Sequence, residues 1–196
     1  MQGSFFIIAS WVLVFVLMFL RERTKLSSLY LSVILILIIC SAYTIDVFSI
    51  EINISYIIMI FYISYKISLL SLREQIIHFV KGLIIGMTYS VVTLLSIYDP
   101  ASFFIDEMII KSFFMIVLCL FLSKSYYAKL RYITIGLVQG ELFNYITFES
   151  IDFNYVIGDL NWFDTLFFTI LLLSGIQYLT KYFSKLSLKN RKLLKN

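Results

Sequence analysis

Long apolar runs alternate with short polar breaks along the whole chain. Seven runs have the length of a bilayer crossing: residues 4–20, 27–45, 53–71, 79–98, 106–123, 132–148 and 162–181. A hydrocarbon core of about 30 Å needs about 20 mainly apolar residues in helical form, within a range of about 17–25. Open sheet cannot replace helix at that depth, because its edges would leave backbone groups unpaired in hydrocarbon. The pattern therefore predicts an all-α fold. It is a polytopic transmembrane helical bundle with seven spans, forming one integral membrane domain over 1–196 and ending in a basic tail at 182–196.

The charges in the breaks give an orientation. Arg21, Arg23 and Lys25 follow the first run, Arg73 and Lys81 flank the fourth, and Lys124, Lys129 and Arg131 lie between the fifth and sixth. Lys181, Lys185, Lys189, Arg191, Lys192 and Lys195 close the chain. The alternate connections, 1–3, 46–52, 99–105 and 149–161, hold no Lys or Arg; they hold Asp46, Glu51, Asp99, Glu149, Asp152 and Asp159. Basic residues mark the cytoplasmic side. The expected topology is an N-terminus outside and a C-terminus in the cytoplasm, which requires an odd number of spans. The first run is expected to be a retained helix, since its basic cluster follows it, whereas a signal peptide carries its charges in front.

Composition narrows the class further. Of 196 residues, 61% are hydrophobic and 14% are charged, against about 45–50% and about 25% in soluble domains. A soluble domain of this size still exposes roughly a third of its chain surface, so the surplus apolar surface needs lipid. Trp11 and Trp162 are candidate interfacial anchors. Asp99-Pro100 suits the end of the fourth helix, because proline disfavours helical backbone at the residue before it. With one histidine and two cysteines, few metal ligands are available, so neither a metal nor a cofactor is expected.

One run is out of character. The stretch TIGLVQGELFN, Thr134 to Asn144, carries Gln139, Glu141 and Asn144 near the middle of the sixth span. An acid at that depth costs about 2.5–3.5 kcal/mol on insertion scales. Such a residue faces the bundle interior, finds a partner or is neutralised. Lys111 is the other charge well inside a span. Its depth below the outer end is about 8 Å and that of Glu141 about 10 Å, so an ion pair between antiparallel neighbouring helices is geometrically open. Glu141, Lys111, Gln139 and Asn144 together form a candidate intramembrane polar site, read either as structural polar contacts or as the lining of a transport pathway. Gly82-xxx-Gly86 and Gly136-xxx-Gly140 are small-xxx-small patterns that let helix backbones approach closely; they are expected to be packing sites.

Other candidates carry less. Lys66 sits at the inner end of its span, where its stem reaches the interface. His78 stands beside Arg73, Glu74 and Lys81 without a second histidine. Cys40 and Cys119 fall in opposite leaflets, too far apart for a disulfide. Tyr98-Asp99 and Gly158-Asp159 echo an intramembrane aspartyl protease, but position 156 is Val and both acids fall at the outer surface. There they lack the desolvation that makes two carboxyls share a proton. No HExxH, GxSxG or Walker motif occurs, and an enzyme is not expected. The tail KYFSKLSLKNRKLLKN is suited to the anionic inner leaflet, and nucleic acid is not needed to explain it.

The opening MQGSFFIIASWVLVFVLMFL, the following RERTK, the chain length and the seven-span outline resemble the YphA-type small membrane proteins of Bacillus-like Gram-positive bacteria. That resemblance implies a plasma-membrane protein and assigns no functional residue. In size the chain is also similar to the substrate-binding subunits of energy-coupling-factor vitamin transporters. Those mostly have six spans and a coupling-helix motif that is missing here. Two functions therefore stand as expectations. The first is a non-catalytic membrane module whose partners are the lipid bilayer and another membrane protein. The second is a small transporter, or a subunit of one, whose small-molecule ligand passes Glu141.

Overall fold

The computed structural model describes residues 3–20, 24–47, 50–150 and 155–193; the side chains of 20, 26, 102 and 185–193 are outside that description. Arg21, Arg23, Asp152 and the basic side chains from Lys185 onward thus lie outside the described residues. Seven α-helices account for most of the chain. They are α1 (Ser4–Phe15, continuing as a π-helical turn over Val16–Leu20), α2 (Lys25–Cys40), α3 (Ile54–Ser68), α4 (Leu72–Tyr98), α5 (Glu107–Leu122), α6 (Tyr126–Glu149) and α7 (Leu160–Leu193).

Polar residues in the breaks start these helices by accepting backbone N–H groups that have no partner one turn earlier. Thr24 and Ser27 form a capping box at α2, and Ser71 and Glu74 form another at α4. Asn53 accepts from Ser55 N–H at the start of α3, and Asp106 accepts from Met108 N–H at α5. Asp159 accepts from Trp162 N–H at 2.8 Å and caps α7. Helix α4 ends at Tyr98, immediately before Asp99-Pro100.

The bundle is organised on α6, which has eleven buried residues. Its main partner is α4. Gly82 and Gly86 face Gly136 and Gly140, so that a methyl group on Gly86 would stand 2.6 Å from the Gly136 carbonyl oxygen. The register Gly82–Gly136 and Gly86–Gly140 makes α4 and α6 parallel. Helix α5 runs back antiparallel along α4, which separates its first turn from Glu141. Its last turn meets the first half of α4, where Lys81 Nζ donates to the Leu122 carbonyl. Its first turn meets the far half, where Lys111 lies over the Tyr89 ring. Helix α7 crosses the other flank, with Trp162, Phe163 and Leu166 buried. Helix α1 begins beside α7, with Phe6 packed on Phe163 and Phe167.

One connection is not a loop. Residues β1 (Thr44–Val47) and β2 (Ile50–Asn53) pair as an antiparallel hairpin with Asp46 opposite Glu51. A third extended segment joins through Ile157, whose N–H donates to the Glu51 carbonyl and whose carbonyl accepts from Asn53 N–H, both at 2.9 Å. The hairpin takes the end of the expected span at 27–45, where α2 stops at Cys40, and the expected span at 53–71 is helical only over Ile54–Ser68. Helix α3 has 15 residues and reaches about 22 Å at 1.5 Å per residue. By length and hydropathy, Leu72–Tyr98 and Leu160–Ser184 suffice to cross a membrane, while Ser4–Phe19, Ser27–Cys40 and Ile54–Ser68 are apolar but shorter.

The exterior is strongly apolar. Phe121 is 86% exposed and Phe61 71%, a surface suited to lipid and unsuited to water. Trp162 departs from its expected place at an interface. It is 1% exposed, and its indole N–H donates to the Leu137 carbonyl at 3.1 Å. The α6 backbone supplies the acceptor that the headgroup region would otherwise provide.

Two glycine substitutions test the seam. Gly86→Ala drives a methyl group into the α6 backbone and is expected to destabilise by about 1–3 kcal/mol, as overpacking does. Gly175 has nothing within 4 Å of an added methyl, so Gly175→Ala is expected to stabilise α7 by roughly 0.5–1 kcal/mol through reduced backbone entropy. Thermal unfolding midpoints in detergent should move in opposite directions.

Candidate functional site

Glu141 lies fifteen residues beyond Tyr126 on α6, or about 22 Å from that helix's first turn. This is the level at which α3 and α7 begin. The chain's non-helical backbone therefore comes down to meet the acid. The Glu141 side chain is 0% exposed. Its Oε1 accepts from the Gly158 backbone N–H at 2.9 Å, and its Oε2 accepts from the Tyr89 hydroxyl at 3.2 Å. The Tyr155 hydroxyl stands close to the same carboxylate.

Each of these contacts needs a particular neighbour. Gly140, next to the acid, lets Tyr89 approach, since a methyl group there would stand 2.7 Å from Tyr89 Cδ1. Gly158 has φ of +72°, where side-chain-bearing residues are strained. A methyl group on it would also run into the Tyr56 side chain. Tyr56 is fixed in turn by donating from its hydroxyl to the Val138 carbonyl at 3.0 Å. Tyr155 stacks on Phe148 at 4.9 Å, and its hydroxyl accepts from Asn144 Nδ2 at 3.4 Å. Burial, with the charges of Glu141 and Asp159 nearby, pushes the Tyr155 hydroxyl well above its usual range, so it stays protonated and able to donate.

The candidate residues divide into three groups. Glu141 and Asn144 meet at the segment 155–158. Lys111 does not pair with Glu141 directly. It is 4% exposed, bonds Glu107 at 3.2 Å one turn away, and lies 5.3 Å from the Tyr89 ring centroid. The reason is the interposed α4: Tyr89 takes Lys111 on its ring and Glu141 on its hydroxyl. Gln139 points elsewhere, against the glycine seam, with its Cβ 3.3 Å from the methyl position of Gly86. Its Nε2 and Oε1, and Asn144 Oδ1, are buried and find no hydrogen-bond partner among the described residues. Asp159 caps α7 beside the group. Burial raises its carboxyl above the usual range, while the helix cap and the Lys111 charge pull the other way.

Tyr89, Tyr155 and Asp164 do not stand out in the sequence, and Gly158 does so only beside Asp159 in a protease-like dipeptide. Asp164 is 8% exposed and accepts from Gly3 N–H at 2.9 Å and Phe6 N–H at 2.6 Å, capping α1 from α7. The available signal was an acid in the third position of an apolar run, opposite a first helix that has no capping side chain of its own.

At the opposite end, Arg131 Nε donates to His78 Nε2 at 3.1 Å. The His78 proton is then on Nδ1 and donates to the Glu74 carbonyl at 2.7 Å. The Glu74 carboxylate accepts from the backbone N–H and the hydroxyl of Ser71. Cys40 and Cys119 are both free. Among the described residues, no three His, Cys, Asp or Glu side chains gather as metal ligands.

A family model described as YphA-like integral membrane protein matches residues 2–196. The chain belongs to the YphA-like integral membrane protein family. It is therefore an integral membrane protein whose solvent is the lipid bilayer, as the exposed phenylalanines require. No curated protein and no solved structure matches the chain.

Substitutions in this YphA-like protein should rank by the number of donors they strand. Glu141→Ala leaves the Gly158 N–H and the Tyr89 hydroxyl without an acceptor, at about 1–3 kcal/mol for each buried group. Glu141→Gln keeps one acceptor oxygen and is expected to lose less, and Tyr89→Phe about 1 kcal/mol. Thermal unfolding in detergent should give the order Ala, then Gln, then Tyr89→Phe, from most to least destabilised. Equal midpoints for wild type and Glu141→Ala would contradict the assignment.

Proposed function

We propose that this YphA-like protein is a non-catalytic, multi-pass module of the bacterial plasma membrane. It crosses seven times, with its N-terminus outside and its C-terminus in the cytoplasm, and it binds or regulates another membrane protein. The alternating charge of the connections supports the topology. So does the parallel run of α4 and α6 with α5 running back antiparallel along α4, which takes three consecutive crossings. The short helices α1, α2 and α3 are compatible with it because the hairpin and the segment 155–158 supply the remaining thickness.

The observation that carries the non-catalytic reading is the state of Glu141. Glu141, the acid near the middle of the sixth expected span, is fully buried, with one oxygen on the Gly158 N–H of the connecting segment and the other on the Tyr89 hydroxyl of α4. Three cavities of about 390–450 Å³ among the described residues are lined by other side chains. A partner for the outer face is suggested by Asp46 and Glu51. They are exposed and directly opposed on the hairpin, a like-charge arrangement that costs stability when nothing cationic covers it.

The transporter reading keeps one observation in its favour. Gln139 and Asn144 hold buried polar atoms without partners among the described residues, and such atoms are normally satisfied by water or a ligand. Thiol accessibility separates the two. Cysteines are placed singly at Gln139, Glu141 and Asn144 in a background lacking Cys40 and Cys119, with Glu51 as outer control and Ser123 as inner control. A membrane-impermeant thiol reagent applied from outside is expected to label position 51 alone. Labelling at 139, 141 or 144 would favour a water-filled transport pathway, and labelling at 123 would overturn the topology.

A further inference from the structure

At the end of the bundle away from the hairpin, α2, α3, α6 and α7 enclose a cavity of about 450 Å³, within the usual range for small-ligand sites. Its chemistry is divided. Met59, Ile63, Ile135 and Ile170 give it an apolar wall, while Lys66 and Arg131 stand in the same lining on different helices. Lys66 is two residues from the end of α3 and Arg131 five residues from the start of α6. Their Cα atoms are thus roughly 3 Å and 8 Å inside the helix ends, the level at which lipid phosphates meet acyl chains.

Neither cation forms an ion pair with an acid among the described residues. Among the described residues the ion pair found is Glu107–Lys111. Lys66 Nζ lies 5.6 Å from the Tyr62 ring centroid and 6.0 Å from that of Tyr65, which holds it by ring electrostatics and leaves its hydrogens unclaimed by an acid. Arg131 is oriented through Nε by His78, which leaves its two terminal nitrogens for another group. Glu74, one turn before His78 on α4, is occupied with the backbone and hydroxyl of Ser71.

We propose that this cavity binds one anionic phospholipid, with its phosphate between Lys66 and Arg131 and the start of an acyl chain along Met59, Ile63 and Ile170. A fixed pair of cations above an apolar trough matches an amphiphile with a negative head. Basic pockets between membrane helices recognise such head groups by the same charge complementarity. The site does not depend on the function proposed above or on its topology, because the probe below is presented from both sides.

Native mass spectrometry of the detergent-purified full chain tests it, with phosphatidylglycerol and phosphatidylcholine as probes. Both carry the phosphate, and they differ in net charge. Wild type is expected to bind one phosphatidylglycerol with roughly tenfold preference, given two basic side chains near the head group. Lys66→Gln/Arg131→Gln is expected to bring the two lipids close to parity. Lys181→Gln/Lys185→Gln removes as much charge from the tail and should leave the preference intact. Thr134→Trp fills the cavity, keeps both cations and is also expected to abolish the preference, which covers the case in which the double variant does not fold. Parity in wild type would overturn the proposal, as would a preference that survives in Thr134→Trp. Displacement of the lipid by millimolar inorganic phosphate would overturn it too, since the site would then be one for a free anion.

Discussion

A carboxylate cannot be left without donors in a lipid-embedded bundle, and much of this structure follows from how Glu141 is supplied with them. Hydrocarbon offers no water, so every buried polar group must be satisfied by the protein. Here the donors come from two directions. Tyr89 reaches across from α4, and the Gly158 backbone comes down from the connection before α7. The acid thus ties the helical bundle to its one extended layer. That layer is continuous, because Ile157 beside Gly158 is hydrogen-bonded to the β2 strand. Through it the carboxylate is linked to the start of α3, and α7 starts two residues further on.

The glycines make that connection sterically feasible. Gly82, Gly86, Gly136 and Gly140 bring the α4 and α6 backbones together, and Gly140 in particular clears the space that the Tyr89 ring occupies. Gly158 combines a left-handed backbone with contact to Tyr56 that no side chain would permit. The glutamate and its neighbouring glycine are therefore one device: the glycine admits the tyrosine that satisfies the acid. The depth of Glu141 also makes sense in these terms. It lies about 22 Å from the first turn of α6, toward the end of that helix where the non-helical backbone of 155–158 reaches it.

Helix number, the breaks between helices and the glycine pairs were readable from the sequence because they rest on local pattern. Caps such as Ser71 with Glu74, and the stop at Asp99-Pro100, lie within a few residues of what they control. The hairpin was also encoded locally, in the alternation Thr44-Ile-Asp-Val and Ile50-Glu-Ile-Asn, but it is too short to stand out beside long apolar runs. The partners of Glu141 were not readable. Tyr89 and Gly158 lie 52 and 17 residues away, and their contact depends on α4 lying between α5 and α6. Hydropathy reports the depth of a residue but not which helix faces it, so a direct bond to Lys111 looked equally available. Trp162 misled for the same reason: an amphipathic ring at a span boundary reads as an anchor until the Leu137 carbonyl is found beside it.

The most direct test of this account is amide hydrogen exchange at Gly158 in the detergent-solubilised protein, compared between wild type and Glu141→Ala. If the carboxylate holds the extended layer, the Gly158, Ile157 and Asn53 amides exchange slowly in wild type. All three should speed up together in the variant, while amides in the middle of α7 keep their protection. Fast exchange at Gly158 in wild type, or protection there that is unchanged in Glu141→Ala, would contradict it.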